Sequence, residues 1–128
     1  MLDTNAYSAL LRGHAEVAER VRAAEHVVFS AVVAGELLFG FRNGSRYEEN
    51  RRELEEFLAN PYVSLLRVGL VSADRFGRVA SALRRKGRPL PSNDIWVAAQ
   101  AMESGAELLS FDEHFAAVDG LAWIKPQR

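Results

Sequence analysis

Four carboxylates stand where an acid can do chemistry: Asp3, Glu36, Asp94 and Asp112. Glu36 makes the strongest demand. It lies inside "SAVVAGELLFGF", residues 30–41, and its helical neighbours three and four residues away are Val32, Val33, Phe39 and Gly40. It therefore projects from an apolar face. An ionised carboxylate facing an interior is costly unless paired, and no Lys or Arg lies within one helical turn of it. Asp94 likewise shares a face with Val97, Ala98 and Ala101. Further acids nearby would raise one another's pKa. A hard divalent cation reverses that logic, because several carboxylates around it stay ionised and bind through oxygen. The four acids together therefore point to a metal site. Structural roles compete for the same residues. An Asp at a helix start commonly caps it or serves its dipole, so Asp3 can cap the first helix and Asp94 can serve its own. Ser110 to Glu113 matches a capping box, which would leave Asp112 an ordinary first-turn acid. Gly35 and Gly40 cost helix stability, and close approach of another backbone would account for them.

The elements that must position these acids follow from apolar periodicity. "MLD" is the stump of a first strand. Residues 4–12 and 14–24 read as helices, 26–30 as a strand, 31–42 and 46–59 as helices, and 62–68 as a strand. Residues 71–86 and 93–104 are helical, 106–110 is a strand, 113–118 a short helix, and "LAWIK" the last strand. Strands alternating with helices imply one α/β domain over residues 1–128, with a central parallel sheet of about four or five strands covered on both faces. In such sheets ligands gather beyond the carboxyl ends of the strands. Asp3 and Asp112 directly follow strands and so belong to that edge.

Composition narrows the chemistry. The chain has 128 residues, 48% hydrophobic and 26% charged, with a net charge of −1 and no cysteine. Thiol catalysis, disulfides and thiolate zinc sites are excluded, and a reducing cytoplasm is the expected setting. No apolar run approaches the roughly 20 residues of a spanning helix, and "MLDTN" lacks the features of a signal peptide. The histidines, His14, His26 and His114, have no metal-ligand spacing. No GxSxG, Walker or GxGxxG motif occurs. Nucleic acid would have to bind through metal or a local basic patch. "RRKGR", with Arg84, Arg85, Lys86 and Arg88, is the one cluster. It reads either as a solvated helix end or as a patch that tracks phosphates.

Four segments, "LDTN" at 2–5, "SAVVAGELLFG" at 30–40, "PLPSNDIWVAAQA" at 89–101 and "LLSFDEHF" at 108–115, resemble in order and spacing the signature blocks of PIN-domain ribonucleases. Among these the resemblance is to the VapC toxins of toxin–antitoxin pairs. It implies a three-layer α/β/α fold and an Mg2+-dependent endoribonuclease, with Mn2+ able to substitute. Asp3, Glu36, Asp94 and Asp112 would be the acidic quartet, with Thr4, Asn5, Ser30 and Asn93 as supporting polar residues. It further implies structured RNA (tRNA or rRNA) as substrate, a VapB-like antitoxin as partner, and a homodimer. The apolar positions of helices 14–24 and 46–59 are the expected antitoxin seat. Relatives usually carry several apolar residues before the first Asp; here only Met1 and Leu2 precede it, so the first strand is expected to be short. Two other classes remain open: a metal-dependent phosphatase or DNA nuclease using the same acids, and a catalytically silent binding module.

Overall fold

The computed structural model describes residues 1–128. Eleven elements follow one another: α1 (Thr4–Leu11), α2 (Ala15–Ala23), β1 (Val27–Ser30), α3 (Ala31–Arg42), α4 (Tyr47–Ala59), β2 (Val63–Leu66), α5 (Leu70–Lys86), α6 (Ser92–Ser104), β3 (Leu108–Leu109), a 3-10 helix (Glu113–Ala117) and β4 (Trp123–Ile124). β1 and β2 pair in parallel, Val27 opposite Val63 and Ser30 opposite Leu66, with α3 and α4 as the crossover. β3 and β4 also pair in parallel, Leu108 opposite Trp123. Leu2 joins the second pair through a parallel bridge to Leu109.

The α/β class and parallel pairing are as expected, but the strands form two short pairs plus one bridge rather than a continuous sheet. The cause is local. Asp3 caps α1 and the chain turns helical at Thr4, so the segment before it makes a single bridge: Leu109 N–H donates to the Met1 carbonyl at 2.9 Å, and Asp3 N–H to the Leu109 carbonyl at 3.4 Å. Met1 and Leu2 are nevertheless buried, which anchors the segment by its side chains.

Residues from every layer share one core. Tyr7 of α1, Phe29 of β1 and Phe57 of α4 meet edge to face, with ring centroids 5.3–5.6 Å apart. Such pairs add about 0.5–1.5 kcal/mol each beyond the area they bury. The Tyr7 hydroxyl is the exception in this cluster: it is buried and has no hydrogen-bond partner, and burial pushes its pKa up to about 12. Burying an unpaired hydroxyl costs about 1–3 kcal/mol. Tyr7→Phe keeps the ring contacts and removes that cost. It should raise stability by about 1 kcal/mol, read as a higher urea midpoint at unchanged slope; a lower midpoint would reveal a partner for the hydroxyl.

α5 packs mainly on α6, while α3 touches both α1 and α6. The three helices that carry or follow the acids are therefore contiguous. Gly87 and Gly105 close α5 and α6 at φ 69° and 67°, a backbone shape that disfavours side chains. Gly35 and Gly40 are different. A Cβ at either would meet open space, so neither serves close backbone approach.

Candidate active site

Three chain turns at the carboxyl edge of the strands are closed by side-chain oxygens. Asp3 caps α1, accepting from Ala6 N–H at 3.0 Å. Ser30 caps α3, accepting from Val32 N–H at 3.0 Å. Asp112 caps the 3-10 helix, accepting from His114 N–H at 2.9 Å. The capping role foreseen for Asp3 is thus real. The Ser110–Glu113 box is not formed: Asp112 takes the cap, and Glu113 pairs with Lys125.

Ser110, fully buried, ties two of the acids together. Its hydroxyl donates to Asp3 Oδ2 and accepts from Asp112 N–H at 3.0 Å. Its own carbonyl receives Trp123 Nε1–H at 3.0 Å. Thr4 Oγ1–H donates to Glu36 Oε1 at 3.2 Å, which links α1 to α3. Glu36 is half-buried rather than enclosed. Asp94 lies in the first turn of α6, where no side chain caps the helix.

The carboxylates act on one another. Burial pushes the Asp3 pKa up, the bonds from Ser110 and Ala6 oppose that, and the charges of Asp112 and Glu36 add to it. Asp94 is pushed up to about 6, first by burial and then by the charges of Asp112, Glu36 and Asp3, with only His114 opposing. The Coulomb effect of all four acids thus falls on one place. No Lys or Arg forms an ion pair with any of them; the one pairing is His114 Nδ1 at 3.0 Å from Asp112 Oδ1. Four hard oxygen donors without a balancing cation suit a hard divalent ion. As positioned here, no three of them surround a common point at ligand distance. The donor chemistry therefore fits, and closing on an ion requires side-chain rotation.

The PIN domain family pattern matches residues 1–121. The chain belongs to the PIN-domain family. PIN domains are nucleases acting on phosphodiester bonds. Ribonuclease VapC1 of Haemophilus influenzae is 30% identical, over 96% of this chain and 94% of its own length. Ribonuclease VapC2 of the same species is 30% identical over 86% of this chain. Among solved structures, VapBC-1 from nontypeable Haemophilus influenzae superposes with a TM-score of 0.85 at 28% identity, covering 98% of this chain and 96% of that one. VapBC2 from Rickettsia felis, bound to a DNA fragment from their promoter, gives 0.86 at 21% identity over 98% of this chain and 96% of that one, which bears on the fold alone. No helix of this PIN domain is long and apolar enough to cross a membrane.

The remaining residues singled out in the sequence fall in several places. Asn5 is exposed on α1 and lines two clefts, one of them walled by Asp112. Ser30 turns its hydroxyl to the buried Gln100 of α6, whose amide in turn donates to the Arg67 carbonyl at 3.1 Å; it braces α3 against α6. Asn93 is exposed. In the basic cluster, Lys86 is engaged by Asp119 and the Ala117 carbonyl, both at 2.8 Å. Arg85 donates to Ser81 at 2.8 Å, while Arg84 and Arg88 are exposed. Sequence reasoning read Ser110 only as a cap and missed its bond to Asp3, and it missed Gln100 and the approach of His114 to Asp112. Ser110 had a signal, since it sits two residues before Asp112 at a strand end. Gln100 had only its polarity amid alanines.

Proposed function

We propose that this chain is a metal-dependent endoribonuclease toxin that cleaves structured RNA, tRNA or rRNA, and is held in check by a VapB-like antitoxin. The observation that carries the reading is the mutual electrostatic loading of Asp3, Glu36, Asp94 and Asp112 at one strand edge with no Lys or Arg to balance it. Membership of the PIN family and the similarity to Ribonuclease VapC1 support it.

A hard divalent cation, Mg2+ with Mn2+ as substitute, would supply Lewis acidity at the phosphodiester when bound. Asp3 and Asp94 would hold it. Ser110 and the Ala6 amide fix the Asp3 carboxylate in place, and Thr4 fixes Glu36. Glu36 and Asp112 are the two acids left to orient the attacking water and take its proton. Water adds in line to phosphorus as the bond to the 3′-oxygen breaks, leaving a 5′-phosphate downstream and a 3′-hydroxyl upstream. The chain offers no side-chain nucleophile motif, and this route requires none.

The antitoxin would lie in the cleft between α2 and α4, lined by Val21, Ala24, Val27, Phe57, Tyr62 and Val63. A basic tail of that partner would complement the acids. A homodimer belongs to the same reading, with the exposed Leu65, Val68, Leu70 and Val71 as an available apolar surface. Cytoplasmic residence is part of it too.

The test is cleavage of a panel of structured RNA, single-stranded DNA and a phosphomonoester by purified protein. RNA cleavage should stop with chelator and return with Mn2+ or Mg2+, and Asp3→Ala should fold yet cleave nothing. Cleavage that survives both chelator and Asp3→Ala would overturn the reading. Preference for the monoester would make the chain a phosphatase.

A further inference from the structure

Resting on the nuclease reading, we infer that Arg12, together with Arg128, forms a phosphate-binding subsite that holds the RNA backbone beside the acids. The observation is a cleft along α1, floored by the buried Ala9 and flanked by the exposed Asn5 and Arg12. Asn5, Ala9 and Arg12 recur at spacings of four and three residues, so they form one stripe down that helix. The stripe starts two residues from Asp3 and ends about 10 Å further along the axis. Across from it stand His14, Phe111 and Arg128.

The cleft is continuous with the acidic site. A second cleft shares Asn5, Phe111 and Arg128 with it and is walled by Asp112. Asp112 lines the second cleft, Arg12 the first, and Arg128 both. Neither Arg12 nor Arg128 is in an ion pair with a carboxylate, although eight other ion pairs occur in the chain. The acids nearest the cleft are already committed: Glu113 to Lys125, and Glu16 to Arg20 and the Gln127 amide. Arg128 is set over the Phe111 ring, its guanidinium carbon 5.6 Å from the centroid, which limits the freedom it would lose on binding. His14 adds no free donor. Its Nδ1 accepts from Val17 N–H at 3.3 Å, and its Nε2 meets the Gln127 carbonyl at 2.7 Å. The Arg128 charge also acts on Glu113 behind the Lys125 pair, but neither guanidinium is held in an ion pair, and two such groups beside a hydrolytic site suit a polyanionic chain, since guanidinium binds phosphate in bidentate fashion.

This assignment differs from the "RRKGR" cluster, where Lys86 and Arg85 already have partners within the chain. Binding is read with a labelled RNA stem–loop carrying single-stranded flanks, on an Asp94→Asn chain, and turnover on the otherwise native chain. Arg12→Gln/Arg128→Gln should raise Kd and KM at least about tenfold with kcat nearly unchanged. The salt slope of log Kd should fall by about 1.4, the value for two lost single-strand phosphate contacts. Arg12→Gln alone should show about half that change in slope and guards against misfolding of the pair. Arg52→Gln/Arg78→Gln, an equal loss of charge elsewhere, should do neither. Unchanged Kd and slope in folded Arg12→Gln and double variants overturn the inference while leaving the nuclease reading standing. Weakened capture of the antitoxin with RNA binding intact would reassign the cleft to an acidic protein segment and equally overturn it. Absence of metal-dependent RNA cleavage by the native chain would instead sink the nuclease reading, and native-rate cleavage by Asp94→Asn would remove Asp94 from the metal site.

Discussion

Asp94→Asn should lose at least about 10²–10³-fold in RNA cleavage while making the metal-free protein more stable above pH 6. Loss of an outer partner of a metal ligand typically costs about 10–100-fold, and loss of a group that itself holds the ion is expected to cost at least as much as a key electrostatic donor, about 10²–10³-fold. The gain in stability follows from the direction of the shift. Asp94 titrates near 6 in the fold, raised from 3.8. A carboxyl raised on folding contributes stability that is fully present below its unfolded pKa and is lost as pH rises through the folded one. That contribution is therefore present below about pH 4 and gone above about pH 6. Asparagine carries no charge to bury, so it escapes the loss. Asp94 is partly exposed, and screening reduces the effect to about 1 kcal/mol, or roughly 4 °C in Tm. Thermal melts in chelator at pH 8 should place the variant above the native chain, with the gap closing near pH 4. Saturating Mn2+ should stabilise the native chain and leave the variant almost unmoved, narrowing or reversing the order. Equal melts at pH 8 in chelator would show that Asp94 bears no load from its neighbours.

The same carboxylate explains how far the sequence could be read. Helices α3 and α6 were legible because their apolar stripes are long, and an acid on such a stripe is a contradiction visible from spacing alone. Glu36 and Asp94 both announced themselves that way. The strands were legible as apolar runs but not in extent: β3 and β4 are two residues each, because pairing length depends on how far a neighbour reaches, which no local pattern encodes. Convergence was legible only through topology. Asp3 and Asp112 were placed at strand ends, and the parallel bridge at Leu2 and Leu109 puts those ends together. What spacing could not supply was the joint between them. Ser110 looked like a helix cap because its offset from Glu113 fits one. In the fold its hydroxyl is spent on two residues far from each other in the chain, a choice set by the tertiary meeting of β3 with the amino terminus.

That joint makes Ser110 the next most sensitive position. Ser110→Ala should lower cleavage by about 10–100-fold at low metal concentration, with partial recovery as Mn2+ is raised. Alanine fits the space, but it withdraws the hydroxyl that donates to Asp3 Oδ2. The bond from Ser110 is the foremost influence holding the Asp3 pKa down against burial and the charges of Asp112 and Glu36. Without it the Asp3 carboxyl titrates higher still, and an ion must displace a proton that is bound more tightly. The loss should therefore grow as pH falls and shrink as pH rises. The alanine variant also leaves Asp112 N–H without its acceptor, which loosens the cap of the 3-10 helix and the setting of the second acid. Ser110→Thr keeps the hydroxyl and should retain most activity if the added methyl is accommodated, which its melting temperature reports. A structural defect alone would lower Tm and activity together, independently of metal. A positioning role predicts an increased metal requirement, a steeper acid limb in the pH profile, and near-native kcat at saturating Mn2+ and high pH. If Ser110→Ala shows the native metal requirement and pH profile, Asp3 does not depend on this hydroxyl for its charge.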